Sequence, residues 1–390
     1  MSEILKYVLF DGSYHHKLMP LTLTRPVSDL RVGIFKIHQK WSNFLKSDVS
    51  IRTKKYLAKK FNSFNEEAQI GISASLLPNK DLCDVIKDIK ENTIVMKNGK
   101  VLLISPLPED NSEMESKLSK YKLIQYVGEI DIIERPMDIF LQNGLETQKD
   151  LEFINKKNLN KSEYGIGNLL IGNNIFIEDG AKINGSTLNS NDGPIFIHKS
   201  SEIMEGSNIR GPFVLMEESI VKMGSKIYGP TTVGPHCKVG GELSNVVFQG
   251  FSNKAHDGFI GNSVIGHWCN FGADSNTSNL KNNYGIVKSW NYFSNEFEST
   301  QTNYCGLIIG DHSKCGINTM FNTGSVVGSF VNIFDSGFPP KFVPSYSWGG
   351  KSGFETYKFD KAIEVAKIVM NRRGVDLDDQ TINIYKHFFK

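Results

Sequence analysis

The chain has 390 residues, 39% hydrophobic and 22% charged, and its 44 Lys+Arg nearly balance 42 Asp+Glu for a net charge of +2. That length predicts two or three domains, and the composition is that of a soluble globular protein rather than a disordered or fibrous one. The balanced charge, with no basic stripe interleaved with aromatics, excludes a nucleic-acid-binding surface, and no apolar stretch approaches the length needed to span a membrane.

Five cysteines, Cys83, Cys237, Cys269, Cys305 and Cys315, form no CxxC pair. An odd count without such a pair argues against both a disulfide framework and a zinc knuckle, and points to a reducing cytoplasm. The opening MSEILKYVLFDG has too short an apolar run for a signal peptide.

Tyr7–Phe10 reads as a first strand, followed at once by Asp11-Gly12 and then by Lys17-Leu18-Met19-Pro20-Leu21-Thr22 and Arg25-Pro26. A strand, a glycine turn and nearby basic residues predict a phosphate-handling loop in an α/β domain. Backbone N–H groups at the turn would cradle the phosphate, and Lys17 or Arg25 would supply the counter-charge. The segment 32–45 has helical apolar spacing, and 70–78 reads as a strand ending in a turn. Lys97-Asn98-Gly99-Lys100 between two apolar runs predicts a hairpin. The polar segment 106–120 is a loop or surface helix, Arg135–Phe140 starts another helix, and 155–161 is a polar linker.

The start of the chain resembles the sugar-1-phosphate nucleotidyltransferases, whose loop reads Gly-x-Gly-Thr-Arg-Leu/Met and often continues Pro-Leu-Thr. Gly12, Lys17, Leu18, Pro20, Leu21, Thr22 and Arg25-Pro26 follow that pattern. Tyr14 stands at the second Gly and His16 at the Thr, and a Tyr there crowds a triphosphate. The resemblance implies Gly12, Lys17 and Arg25 as nucleotide- or phosphate-binding residues, and Mg²⁺ if this domain is active. It gives no metal ligand, because no acid ends the 70–78 strand, where the family holds its metal. Asp81 and Asp84 are placed as helix N-terminal residues.

From Ile197 the aliphatic residues recur every sixth position: Ile197, Ile203, Ile209, Leu215, Val221, Ile227, Val233 and Val239. Neither a helix nor a simple strand gives that period. It is the mark of a hexapeptide parallel β-helix, with one short strand per hexapeptide and three per triangular coil. The register starts at Ile171, Ile177 and Ile183, continues in step through Asn245 and Phe251, changes phase to Ile265 and Phe271, and returns at Ile309, Cys315, Phe321, Val327 and Ile333. One hexapeptide is missing near Gln249-Gly250. The break from Gly272 to Leu307 is an extension from the solenoid, where function is expected because the coils are used by packing. In the known hexapeptide proteins the helix is left-handed and assembles as a homotrimer, with active sites in the grooves between subunits.

Residues 250–272 read GFSNKAHDGFIGNSVIGHWCNFG. This stretch resembles the acyltransferase half of the bacterial bifunctional N-acetylglucosamine-1-phosphate uridyltransferase/glucosamine-1-phosphate acetyltransferases, which also place a nucleotidyltransferase domain before a left-handed β-helix. His256 takes the place of the family's catalytic His, followed by Gly261 and Gly266, Asn270-Phe271-Gly272-Ala273 and Asn279. The chemistry suits a histidine: attack of an amine on a thioester needs a base that titrates near neutral pH, and donors for the oxyanion. The resemblance implies His256 as general base, Asn270 as a sugar-phosphate contact and Asn279 as the residue positioning the acyl group and His256. Acetyl-CoA would be the donor and an amino-sugar phosphate or nucleotide the acceptor. Phe259 replaces a sugar-contacting Tyr. The family's phosphate-binding Lys has no counterpart, which leaves Lys254 or Lys226 for that role. His236, His256, His267 and His312 lack the spacing of the three-His zinc site of the related γ-class carbonic anhydrases, so no metal site is assigned.

Over almost its whole length the chain is similar to a group of Bacteroidetes-type sugar nucleotidyltransferases with hexapeptide repeats. Three blocks carry this: LMPLTLTRPVSDLRVGIF, SNKAHDGFIGNSVIG, and CGLIIGDHSKCGINTMFNTGSVVG with FPPKFVPSYSWGG. The expected organisation is an α/β nucleotidyltransferase-like domain over 1–160, a β-helix over 165–345 and a helical cap over 346–390, with helices from Phe359 to Arg373 and Asp378 to Phe389. Arg372 and Arg373 are the alternative contacts for coenzyme A phosphates. The leading function is acyl transfer to an amino sugar. The alternatives are a nucleotidyltransferase whose β-helix only trimerises it, and a non-catalytic sugar-nucleotide-binding scaffold.

Overall fold

Strand-forming aliphatics open the chain, and Tyr7–Phe10 forms a fully buried strand of a six-stranded sheet. The computed structural model describes residues 7–61, 70–108, 120–155, 159 and 165–389. Most of the 106–120 segment and of the 155–161 linker lies outside the described residues. Two compact units are present: Met1–His16 with Arg25–Leu30 and Phe35–Glu134, and Lys17–Thr24 with Arg31–Ile34 and Arg135–Lys390.

In the first unit the sheet order is Val49–Arg52, Tyr7–Phe10, Ile70–Ser73, Lys100–Ser105, Thr93–Lys97 and Lys122–Gln125. Tyr7–Phe10 pairs in parallel with both neighbours, and Ile70–Ser73 pairs antiparallel with Lys100–Ser105. Asn98 and Gly99 take φ of 51° and 75°, the left-handed pair that a tight hairpin requires. Asp81 lies in the first turn of the helix Lys80–Asp88, whose Asn79 cap accepts from Leu82 N at 2.8 Å. The helix expected over 32–45 begins only at Ile37, because Gly33 sits at φ 74° and breaks the helical run.

The second unit holds the expected parallel β-helix. One coil shows its logic. Ile195–Ile197 lies on a first face, Glu202–Ile203 on a second and Asn208–Arg210 on a third, and the cis Gly211-Pro212 corner returns to Phe213–Leu215 on the first. The aliphatics stack in register inside: Ile177, Ile197, Leu215 and Val233 on the first face, Ile183, Ile203, Val221 and Val239 on the second. With Leu188, Ile209, Ile227 and Leu243 on the third they form one continuous buried core. Each such side chain contributes about 1.5–3 kcal/mol when fully buried.

The phase change comes earlier than the sequence register predicts. Val221 pairs with Val239, 18 residues on, but Val239 pairs with Lys254, only 15 on. The Gly240-Gly241 corner makes a shorter turn, which two glycines with little steric demand permit. Asn245 and Phe251, expected inside, therefore sit at corners with φ of 56° and 55°. Leu243, Phe248 and Lys254 point inward instead, all fully buried. No hexapeptide is lost, since every face keeps its strand through this coil.

One corner carries a stack of rings in left-handed backbone: His236, Phe251, Trp268, His312, Phe330 and Tyr346 all have positive φ. His236–Phe251, Phe251–Trp268 and His312–Phe330 stack with centroids 4.6, 4.2 and 4.6 Å apart. The tail helices Phe359–Asn371 and Asp379–His387 lie along this flank rather than over the open end. Tyr385 donates to or accepts from His312 Nε2 at 2.9 Å, and Arg373 Nη2 donates to Asn253 Oδ1 at 3.1 Å. At the C-terminal end of the solenoid, Ser347–Gly350 and Gly353–Thr356 form a hairpin, and Phe354 packs on the interior. The helix Asp138–Asp150 belongs to this unit as well: Asn143 Oδ1 accepts from Thr232 Oγ1 at 3.1 Å.

Candidate active site

The third face of the solenoid collects the candidate chemistry. In the coil of interest the strand Phe259–His267 follows the corner 255–258. His256 stands on that corner with its side chain exposed, not turned into the prism. Phe259 and Gly261 follow on the outer side of the face, and Asn262 opens the next corner at φ 46°. Asn279 occupies the same corner one coil further along.

A ladder of carboxamides holds Asn279. Its Nδ2 donates to Asn262 Oδ1 at 2.8 Å. Asn262 Nδ2 donates to Asn245 Oδ1 at 3.0 Å, and Asn245 Nδ2 donates to the carbonyls of Phe140 at 2.8 Å and Pro230 at 3.2 Å. The fixed carbonyls at the far end orient every amide in the chain, so Asn279 Oδ1 is directed away from Asn262. Gly261 leaves room for this: a Cβ there would lie 2.6 Å from Asn279 Nδ2 and 2.5 Å from the Phe259 ring. Residues 245, 262 and 279 are each 17 apart, a spacing that lies outside the motif carrying Asn279.

The extension leaves the solenoid directly after Asn279. An antiparallel bridge between Leu280 and Tyr304 closes its base, and Lys288–Asn291 pairs with Glu296–Ser299 within it. Trp290 stacks on Phe342 of a later coil, centroids 4.3 Å apart. Lower on the third face, Thr187, Asn189, Asn208, Arg210, Lys226 and Tyr228 line a groove of about 360 Å³. Arg210 is bridged there to Asp192 at 2.9 Å.

The other residues singled out in the sequence fall elsewhere. Lys254 does not reach the surface. It is fully buried in the aliphatic column, and its ammonium donates to the carbonyls of His256, Asp257 and Gly240. Burial lowers its pKa to about 8, against the raising effect of Asp257, Cys315 and Asp274. Asn270 is exposed on the second face, beside Asn253, and not on the face of Asn279.

Lys17 Nζ lies 5.5 Å over the Phe293 ring. Arg25 is buried and ion-paired with Asp29 at 3.4 Å. Gly12, at φ 53°, lines a cavity of about 120 Å³ with Asp11, Arg52, Thr53, Lys54 and Lys55. The segment after it is a helical turn, Tyr14–Lys17, with the Tyr14 ring buried, rather than an open glycine loop. Asp11 is pushed up to about 7 by burial, although Val27 N and Thr53 Oγ1 donate to it. One acid among three basic side chains does not fit a Mg²⁺ site, and no step is routed through a metal. Among the described residues no group of three His, Cys, Asp or Glu is placed to hold a metal ion, and no helix is long and apolar enough to cross a membrane.

Residues 7–158 match the family model of the sugar nucleotidyl transferases. Similar proteins include the bifunctional protein GlmU of Cyanothece sp., 26% identical over 149 residues, 36% of this chain and 28% of that protein. The bifunctional sugar-1-phosphate nucleotidylyltransferase/acetyltransferase of Sulfurisphaera tokodaii is 25% identical over 309 residues, 70% of this chain and 74% of that protein. Bifunctional GlmU of Methanocaldococcus jannaschii is 40% identical over 74 residues, 19% of this chain and 17% of that protein. The chain thus spans less than a third of two of these three relatives and about three quarters of the other. Among solved structures, the polysialic-acid acetyltransferase NeuO overlaps 54% of this chain and 94% of its own, at 14% identity and a TM-score of 0.27. The N-acyltransferase AntD of Bacillus cereus overlaps 58% and 96%, at 13% identity and a TM-score of 0.25.

Proposed function

We propose that the protein is an acyltransferase that moves an acetyl group from acetyl-CoA to the amine of an amino sugar carrying a phosphate or nucleotide, with His256 as general base. The observation that carries the reading is the third face: an exposed His256 at one edge and, at the other, an Asn279 whose amide is fixed by a ladder of partners. In the reaction the amine nitrogen attacks the thioester carbonyl while His256 takes its proton. The new C–N bond forms, the C–S bond breaks, and the proton leaves with the thiolate as coenzyme A thiol. Asn279 Oδ1, turned away from Asn262, accepts from the amine and holds its lone pair toward the carbonyl carbon.

With Lys254 withdrawn into the core, Lys226 and Arg210, which line the groove on that face, would hold the phosphate. The acceptor would lie along the groove with its amine toward His256. A homotrimer and a cytoplasmic location belong to the same proposal. The test is release of free thiol from acetyl-CoA in the presence of a panel of amino-sugar phosphates and nucleotides. Wild type turns over at least one of them and His256→Ala does not. Equal thiol release by both forms would remove His256 from the mechanism.

A second reading, nucleotidyl transfer by the first unit, is favoured by the family match over residues 7–158. It is weighed down by the helical turn after Gly12 and the ion-paired Arg25. Pyrophosphate release from UTP or dTTP with a sugar 1-phosphate and Mg²⁺ distinguishes it from the first.

A further inference from the structure

The corners between the second and third faces follow one rule, and the His256 corner breaks it. Ser207 Oγ donates to Lys222 O at 3.0 Å, Ser275 Oγ to Gly272 O at 2.7 Å and Thr319 Oγ1 to Gly316 O at 2.9 Å. Ser225 donates to the same Lys222 O from within that corner, as Ser275 and Thr319 do three residues back in theirs, while Ser207 reaches it from the coil below. These hydroxyls tie down the corner carbonyls, Lys222 O accepting from both Ser207 and Ser225 and Gly316 O from both Ser275 and Thr319. The backbone ladder fixes which residues are equivalent: Asn208 N donates to Ser225 O, Lys226 N to Gly241 O and Glu242 N to Gly258 O. Gly241 and Gly258 therefore stand where Ser or Thr stands in the coils on either side, and neither has a hydroxyl.

Lys254 fills the gap from inside. Its position in the column belongs to Ile203, Val221 and Val239 below and to Phe271 and Cys315 above. Its ammonium reaches Gly240 O at 3.5 Å in the lower of the two corners lacking a hydroxyl, and Asp257 O at 2.8 Å and His256 O in the upper. Asp257 O also accepts from Asp274 N at 3.0 Å, which ties the corner to the coil above. Below, Gly241 at φ 72° passes so close that a Cβ would lie 3.0 Å from His256 O. With its carbonyl drawn inward to the ammonium, the His256 residue can only send its imidazole outward. A buried cation is a costly way to close a corner that a serine closes elsewhere, and it occurs in the coil that carries His256.

We propose that Lys254 is a positioning residue for His256, its ammonium holding the peptide carbonyls of the corner so that the imidazole is presented to the third face. The proposal rests on the acyl-transfer reading of His256 but is tested apart from it. The variants are Lys254→Met, which keeps length and suits the aliphatic column, and Lys254→Gln, which keeps an N–H donor on a shorter stem. Hydrogen exchange read by mass spectrometry over 273–275, where Asp274 N donates to Asp257 O, rises about tenfold in Lys254→Met, while the 222–225 corner, where Gly224 N donates to Glu205 O, is unchanged. The His256 ring resonances, followed by NMR, move in the same variant while those of His198 stay in place. Where wild type releases thiol from acetyl-CoA with any acceptor of the panel, Lys254→Met loses up to about a hundredfold in kcat with KM for acetyl-CoA unchanged. Lys254→Gln recovers part of the exchange protection. Unchanged exchange over 273–275 together with unmoved His256 ring resonances overturns the proposal. A loosened corner in a protein whose wild type acetylates nothing removes the acyl-transfer reading and leaves Lys254 holding the corner.

Discussion

Asn279 donates from Nδ2 to Asn262 Oδ1 at 2.8 Å, and this one bond decides which end of the Asn279 carboxamide faces the third face of the solenoid. Substituting Asn262→Ala removes the acceptor and lets the amide turn. Thiol release from acetyl-CoA should fall about tenfold or more, while the thermal midpoint moves little, since a part-buried hydrogen bond of this kind contributes about 0.5–1.5 kcal/mol. Steady-state kinetics and a melting curve on the same preparation check both halves. An Asn262→Ala enzyme at full rate would detach the ladder from function.

Gly261→Ala probes the same bond from the other side. The added methyl first meets the Phe259 ring and Asn279 Nδ2, both side chains, so the Asn279 amide has to move. Activity should fall with the fold retained. Gly241→Ala gives the contrast: the glycine sits at φ 72° and its new Cβ meets the backbone of Gly258 at 2.7 Å. That variant should lose stability, by more than about 1 kcal/mol, seen as a lower urea midpoint.

Lys254 makes stability depend on pH in a defined direction. Its pKa is about 8 when folded and about 10.4 for an ordinary lysine. Below pH 8 the folded protein has to hold a buried charge. Between those two values the unfolded chain binds the proton more tightly, so this group adds stability as pH rises, by about 3 kcal/mol at most. The facing groups Asp257, Asp274 and Cys315 reduce the shift without reversing it. The difference in melting temperature, wild type minus Lys254→Met, should therefore grow from pH 7.5 to pH 10. A difference that is flat or falls over that range refutes the assignment.

All five cysteines are buried, and burial pushes Cys83 up to about 11 and Cys237 and Cys305 up to about 12. Thiols held in the neutral form away from solvent react slowly. Native protein should bind no equivalent of a disulfide-exchange reagent, and protein in guanidinium should bind all of them. Labelling of the native form would indicate local opening of the solenoid.

The ring of Phe330 is stacked on Tyr346 at 4.9 Å with 3° between planes, and both are covered by Tyr385 or its helix. Tyr385→Ala should cost about 3–5 kcal/mol by emptying that cover. Tyr385→Phe, which removes the hydroxyl bonded to His312 Nε2, should cost about 1–3 kcal/mol. Denaturant unfolding of both variants checks the ranking.

The sequence carried the solenoid because its core needs one aliphatic residue every sixth position, and Ile197 to Val239 obey that without exception. The register misled where the chain shortens a corner. Gly240-Gly241 looks like any other small pair, and Asn245 and Phe251 keep the count while the chain has already turned. Lys254 is a candidate phosphate-binding cation in sequence; the corner carbonyls that accept from it are brought together only by the coiling of the chain. Lys17 and Arg25 are legible as basic residues in a loop; Asp29, four residues on from Arg25, is a local partner, but Phe293 is brought over Lys17 by tertiary packing. His256 and Asn279 were found through a motif. Asn245 and Asn262, which orient Asn279, share its 17-residue spacing but lie outside that motif.

The bridge between Leu280 and Tyr304 has an evolutionary consequence. The chain departs and returns through one hydrogen-bonded neck, and buried Val287, Ser289 and Thr300 with Trp290 on Phe342 fasten the stretch from Lys281 to Asn303 to the later coils. Drift in length and composition is therefore confined to the exposed turn at Ser294-Asn295, the part that evolution or an engineer can vary without disturbing the spiral beneath.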